Sequence, residues 1–168
     1  MTIAPNDHSP AARAAASAVA DMPVLLPTRE GLLERLAADL PASGEQPTTL
    51  LVIGLLRRDD GWPTPTSTLA QVTQLFARSV RGDDWLGACG AAEFAIVVAG
   101  ATTAAEVAGA RLITAITALG VPGLSAAAGY TTLRPGLPAS EVFRRATLSL
   151  TAARRVGAGT VIRYREPV

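Results

Sequence analysis

Few side chains in this sequence can carry covalent or metal chemistry. All 15 basic residues are arginine, so no lysine is present to act as a nucleophile, form a Schiff base or bind phosphate in a P-loop. Cys89 is the single cysteine and His8 the single histidine. A disulfide or a thiolate metal cluster is therefore excluded, and the remaining chemistry is that of carboxylates and arginines.

One carboxylate, Glu93, lies in a stretch with the pattern of a β-hairpin. Two apolar runs rich in β-forming residues flank a short tip, Gly90-Ala91-Ala92-Glu93-Phe94. A rigid hairpin can present a functional residue, and Cys89 beside the tip is expected to be a small buried hydrophobe. A surface charge next to a turn is the alternative interpretation of Glu93.

Composition and charge predict a soluble globular protein. The chain has 49% hydrophobic and 17% charged residues, and its formal net charge is +1. That charge creates no field favouring nucleic acid, and no continuously apolar run is long enough to span a membrane. The first residues do not have the pattern of a signal peptide. We therefore expect a cytoplasmic protein with neither nucleic acid nor membrane as a partner.

Hydrophobic periodicity predicts helices alternating with strands. The predicted helices are 28–40, 69–80, 102–119 and 139–156, and the predicted strands are 48–56, the hairpin 85–98, 123–132 and 160–164. Thr66, Ser67 and Thr68 are candidate N-caps of the second helix. Four arginines of the last helix are expected to form an exposed basic face: Arg144, Arg145, Arg154 and Arg155.

This order of elements predicts the α+β class. It corresponds to a ferredoxin-like βαββαβ core with extra helices and a C-terminal strand, with the helices packed mainly on one face of the sheet. Residues 21–166 are predicted to form one domain. Residues 1–20 are rich in Ala, Ser and Pro and are predicted to be a flexible N-terminal segment.

Three short motifs resemble those of the GGDEF (diguanylate cyclase) family and occur in the same order. Residues 21–29 are similar to its opening Asp-x-Leu-Thr-Gly-Leu-x-Asn-Arg, Gly90–Phe94 stands where the signature hairpin belongs, and 146–157 is similar to its closing motif. The resemblance covers residues 21 to about 164. It implies a nucleotide-cyclase-like GGDEF fold and a role in signalling by the bacterial second messenger cyclic di-GMP.

The resemblance also implies a degenerate, non-catalytic member. Family cyclases condense two GTP molecules with two metal ions, whose carboxylate ligands stand where this chain has Gly54 and Ala92. Glu93 remains, but one carboxylate cannot hold two divalent ions. Asp59 and Asp60 follow too late, in the next loop. The Asn and Asp that contact guanine in the family are also missing, so we expect no catalytic residue, no metal site and no cofactor.

A second family site has matching residues in this chain. Arg81-Gly82-Asp83-Asp84 has the Arg-x-x-Asp spacing of the inhibitory site for cyclic di-GMP, and Arg111 falls where the family has a second arginine. Arginine forks suit guanine edges and phosphates, and Asp84 can accept hydrogen bonds from guanine. The alternative is a surface ion pair between Arg81 and Asp84, contributing about 0–1 kcal/mol.

Three functional hypotheses follow. The first is a catalytically inactive receptor that binds cyclic di-GMP through Arg81, Asp84 and Arg111, with the ligand as an intercalated dimer that can join two copies of the protein. The second is a ligand-free protein–protein interaction module derived from a cyclase, whose partner is a second copy or another signalling protein. The third, and least expected, is a working diguanylate cyclase.

Overall fold

The computed structural model describes residues 24–57 and 62–167, and the segment predicted over residues 1–20 lies outside them. The described residues form these elements in order: α1 (Arg29–Asp39), a 3-10 helix (Leu40–Ala42), β1 (Thr48–Arg57), α2 (Thr66–Ser79), β2 (Trp85–Gly90), β3 (Glu93–Ala99), α3 (Thr102–Ala118), β4 (Leu124–Thr132), α4 (Ala139–Val156) and β5 (Val161–Arg163). None of these helices is long and apolar enough to cross a membrane.

The strands form one sheet in the order β2-β3-β1-β4-β5. Neighbouring strands are antiparallel except for β4 and β5, which are parallel. This is the predicted βαββαβ core followed by a helix and an added edge strand, so the α+β prediction is confirmed. Because β1 is central, its C-terminal end lies between the β2–β3 hairpin on one side and β4 on the other.

The continuous apolar run of β1 is buried on both faces of the sheet, as expected for a central strand. Leu51 and Ile53 pack in one core cluster with side chains of α2 and α3, whereas Leu50 and Val52 pack in another with side chains of α1 and α4. The prediction that helices pack mainly on one face is therefore wrong. Both faces of β1 are apolar, and each must be covered by an amphipathic helix pair.

The start of helix α2 is set by backbone conformation and not by the side-chain caps expected from the sequence. Helix α2 begins at Thr66 and has Pro65 at its N-cap without a side-chain capping hydrogen bond, so the predicted capping by Thr66, Ser67 or Thr68 is wrong. The extended backbone that Pro65 favours already leads into the helix. Gly120 lies just after α3 with a φ of +69°, a left-handed conformation that favours glycine at the end of a helix.

Candidate functional site

The β2–β3 hairpin places Glu93 beside the end of the central strand. The two strands are joined by a two-residue turn, Ala91-Ala92, and Glu93 is the first residue of β3. In the sheet register Glu93 lies opposite Gly54 of β1, which lies opposite Ala127 of β4 on its other side. Glu93 therefore belongs to a paired strand rather than to an exposed turn.

The guanidinium group of Arg154 occupies the space next to Gly54. Arg154 Nη1 donates a hydrogen bond of 2.8 Å to Glu93 Oε1, which joins the last turns of α4 to the hairpin. A Cβ atom at Gly54 would lie 2.8 Å from Arg154 Cζ and closer still to Nη2. The absence of a side chain at Gly54 is what allows this cation to lie over β1.

Three residues singled out in the sequence line one shallow depression. Arg81 lies in the turn between α2 and β2, Asp84 lies just before β2, and Arg111 lies on α3. They surround a cavity of about 280 Å³, together with Val98, Thr103, Ala104, Val107 and Ala108. Arg111 Nη2 donates to the Ser79 carbonyl oxygen at 3.1 Å, which orients its guanidinium toward the end of α2.

The carboxylate of Asp84 also holds the backbone of this corner together. Its Oδ2 accepts a hydrogen bond from the Arg81 N–H at 3.2 Å, and its Oδ1 accepts one from the Ala99 N–H at 3.1 Å. The side chains of Arg81 and Asp84 form no ion pair with each other, so the surface ion pair offered as an alternative is wrong. Backbone amides of the turn and of β3 take the place of the guanidinium.

Comparison with known structures identifies the fold. The chain superposes on the active GGEEF domain of a diguanylate cyclase from Vibrio cholerae with a TM-score of 0.72 and 20% identity, over 84% of this chain and 99% of that one. The GGDEF domain of DgcB from Caulobacter crescentus, in complex with cyclic di-GMP, gives 0.71 and 18%, over 87% and 95%. This chain has the GGDEF fold.

A third similar structure shows the same GGDEF fold in a larger assembly. The diguanylate cyclase SiaD from Pseudomonas aeruginosa, in complex with its activator SiaC, superposes with a TM-score of 0.72 and 22% identity. The match covers 91% of this chain and 66% of that one. No protein-family model and no curated protein sequence matches this chain.

The residues at the end of β1 do not fit the metal ions that cyclases of the GGDEF fold use. Divalent magnesium or manganese needs carboxylate oxygens, and neither Gly54 nor Ala92 has a side-chain oxygen. Glu93 is already bonded to a cation, Arg154. Within 24–57 and 62–167, no three His, Cys, Asp or Glu side chains come together to hold a metal; Asp59 and Asp60 lie outside those ranges.

The predicted exposed basic face of α4 is confirmed for Arg144 and Arg155, which are exposed, and is wrong for Arg145 and Arg154, which are partly buried. Arg144 donates to both oxygens of Glu141 at 2.6 and 2.8 Å, and Arg145 donates to Glu141 and to Glu166. Arg154 is half-buried against Glu93. The contacts with Glu93 and Glu166 span 61 and 21 residues, which helical spacing alone cannot reveal.

Cys89 is a half-buried residue of the hairpin strand β2, and its thiol is not activated as a nucleophile. Burial, and then the nearby negative charge of Glu93, raise the pKa of the Cys89 thiol to about 12. The thiol is consequently protonated at neutral pH, and a protonated thiol is a poor nucleophile and metal ligand. Cys89 instead packs against the α1–α4 core cluster.

Proposed function

We propose that this protein is a catalytically inactive GGDEF-type signalling domain that binds cyclic di-GMP at Arg81, Asp84 and Arg111. The observation that supports this proposal is the convergence of the three residues, from one loop and one helix, around one cavity of about 280 Å³. These residues are separated by up to 30 positions in the sequence, and only Arg81 and Asp84 are locally linked.

The chemistry of the depression suits a cyclic dinucleotide. Two exposed guanidinium groups, from Arg81 and Arg111, supply planar donors for phosphate oxygens and guanine edges. Val107, of which 68% is exposed, adds an apolar surface on which a base can lie. The solved complex of DgcB with cyclic di-GMP supports the proposal that this fold can hold such a ligand.

The proposed inactivity rests on the cation beside Gly54. A carboxylate in that position would bind a metal ion, whereas the Arg154 guanidinium already provides a fixed positive charge bonded to Glu93. With a guanidinium beside Gly54 and no side-chain oxygen on Gly54 or Ala92, two metal ions would have no set of carboxylate ligands among the described residues. We infer that the domain does not condense GTP.

Calorimetric titration of cyclic di-GMP tests the binding site. We expect saturable binding to the wild type at tens of micromolar ligand or below. Arg81→Ala and Arg111→Ala should each weaken it about tenfold or more, because each removes charge-assisted hydrogen bonds. Arg155→Ala, which removes an exposed arginine outside the depression, should leave the affinity unchanged. Absence of heat with the wild type would overturn the proposed function.

A second assay addresses catalysis. The protein incubated with GTP and either Mg²⁺ or Mn²⁺ should release no cyclic di-GMP, measured by chromatography beside an active cyclase as the positive control. Product formation would contradict the proposed inactivity. It would also assign a metal-binding role to the Gly54–Glu93 pair, although the contact between Glu93 and Arg154 does not favour one.

A ligand-free interaction module is the second candidate function. It is favoured by Asp84, whose two carboxylate oxygens both accept backbone hydrogen bonds and would be retained for structure without any ligand. This candidate predicts no nucleotide binding and self-association or capture of a defined signalling partner. The receptor instead predicts that cyclic di-GMP binds, and that light scattering detects an increased mass if the ligand joins two copies.

A further inference from the structure

A second cationic cavity lies at the other edge of the sheet. It has a volume of about 390 Å³ and is lined by Thr131, Thr132, Arg134, Arg145, Arg163, Tyr164, Arg165 and Glu166. It adjoins the end of β4, where Thr132 pairs with Thr49, at the opposite end of β1 from the Gly54–Glu93 pair. It is therefore separate from the hairpin site, and it shares no lining residue with the Arg81–Arg111 depression.

Arginines outnumber carboxylates four to one in this cavity. Arg145 is fixed in place, since it donates to Glu141 at 2.8 Å and to Glu166 at 2.7 Å and lies 5.1 Å from the centre of the Tyr164 ring. Arg134 approaches the same Glu166 oxygen at only 3.7 Å. Only Arg134 and Arg145 contact the one lining carboxylate, and Arg145 is also paired with Glu141, so the remaining arginines leave the cavity with an excess of positive charge.

Arg163 and Arg165 account for most of that excess. Both are exposed, and neither forms an ion pair within the part of the chain that the structure describes. They lie two residues apart on the edge strand β5 and its extension. There the Tyr164 N–H donates to the Tyr130 carbonyl oxygen at 2.8 Å and holds the segment beside β4. This hydrogen bond holds in place the backbone that carries Arg163 and Arg165.

We infer that this cavity is an oxyanion site that takes a phosphoryl group of a small phosphorylated molecule. Guanidinium groups match the oxygens of a phosphate, and a multiply charged anion would neutralise the excess that Glu166 leaves. A small ligand is favoured over an acidic protein because the arginines converge on one recess rather than along a flat surface. Glu166 would compete with the ligand for Arg134 and Arg145.

The test is an NMR titration with inorganic pyrophosphate at constant ionic strength. We expect saturable shifts of the side-chain Nε–H resonances of Arg134, Arg163 and Arg165. Arg163→Gln and Arg134→Gln should each weaken binding about tenfold. Arg155→Gln is the matched control, since it removes an exposed arginine outside the cavity, and it should change nothing.

Glu166→Gln makes the test directional. Removing the competing carboxylate should tighten pyrophosphate binding several-fold, whereas weaker binding would contradict the inference. Shifts no larger than those caused by an equal ionic strength of sodium chloride would also overturn it. So would an oligo-glutamate peptide binding more tightly than pyrophosphate, because that result would assign the surface to an acidic protein.

The two proposals can fail separately. Arg81→Ala should weaken cyclic di-GMP binding and leave pyrophosphate binding unchanged, and Arg163→Gln should do the reverse. Adding GMP and cyclic di-GMP as further ligands distinguishes a terminal phosphate from a phosphodiester. The doubly charged terminal phosphate of GMP is expected to cause the larger shift at Arg163, and a larger shift with cyclic di-GMP would contradict a site for phosphomonoesters.

Discussion

Single contacts decide what the end of β1 can do. Glu93 has a carboxylate on the signature hairpin, yet that carboxylate bonds to Arg154 across the space over Gly54. The two side chains are only 23% and 32% exposed, so solvent screens the pair less than it would screen a fully exposed one. Glu93 lies on the hairpin that resembles the family signature, but its carboxylate is bonded to Arg154 and contributes to the structure.

A double-mutant cycle measures this contact. We expect Glu93→Gln and Arg154→Gln to couple by about 1 kcal/mol in the free energy of unfolding, between the values typical of exposed pairs and of buried charged hydrogen bonds. The control is the Arg35–Asp39 pair, a local i,i+4 pair within one helix that is bonded at 2.7 Å and has a more exposed arginine; it should couple by about 0.3–0.5 kcal/mol. Equal coupling in the two cycles would contradict the special position of Arg154.

Glu141 makes a prediction about acid pH. Hydrogen bonds from Arg144 and then Arg145 lower the pKa of the Glu141 carboxyl from its ordinary value of 4.5 to about 2. The folded state therefore favours the charged form. The resulting stabilisation is present above pH 4.5 and is lost as the pH falls toward 2. NMR titration should place the midpoint near pH 2, and Arg144→Ala should raise it; a wild-type midpoint near 4.5 would refute this.

At the level of elements, the approach of α4 to the sheet depends on a residue without a side chain. A Cβ atom at Gly129 of β4 would lie 2.6 Å from the Ala146 carbonyl oxygen and closer still to the Leu150 nitrogen, both in the backbone of α4. Backbone atoms cannot move aside as a flexible side chain can. The same helix presents Arg154 to Gly54, so its distance from the sheet affects the hairpin site.

Gly129→Ala should therefore destabilise the domain by at least about 2 kcal/mol, as overpacking of a close contact does. Urea unfolding followed by circular dichroism measures the change. Gly82→Ala is the matched control, because a Cβ there meets nothing within 4 Å, and it should cost no more than about 0.5 kcal/mol. Similar losses in the two variants would show that α4 can move away from β4.

At the level of the whole molecule, both helical layers depend on one strand. The α1–α4 layer and the α2–α3 layer pack on opposite faces of β1, so neither core is complete without the shared sheet. This arrangement predicts a single cooperative unfolding transition in which damage to either layer is felt by both.

Leu36→Ala in α1 and Leu112→Ala in α3 test this coupling. Each side chain is almost fully buried, and each substitution should cost about 2–5 kcal/mol. Circular dichroism and Trp85 fluorescence should report the same midpoint in both variants, although Trp85 packs only in the α1–α4 layer. Val156→Ala, of which 71% is exposed, is the control with little effect. Separate midpoints for the two probes would contradict the shared core.

The sequence alone predicts the local features of this protein. Periodicity predicts its helices and strands, and the composition excludes lysine and disulfide chemistry. The resemblance points to the GGDEF fold and to Arg81, Asp84 and Arg111, and the structure places these three around one cavity. These features depend on neighbouring residues along the chain or on short motifs, so they can be recognised without tertiary contacts.

Only the tertiary structure decides which distant side chains meet. The register that sets Glu93 opposite Gly54, and the close packing of α4 that brings Arg154 over them, come from strand pairing and helix packing. The packing of α1 and α4 on the second face of the sheet also depends on tertiary structure, as does the convergence of four arginines beside β5. Their partners are far apart in sequence, and neither spacing nor periodicity carries information about such contacts.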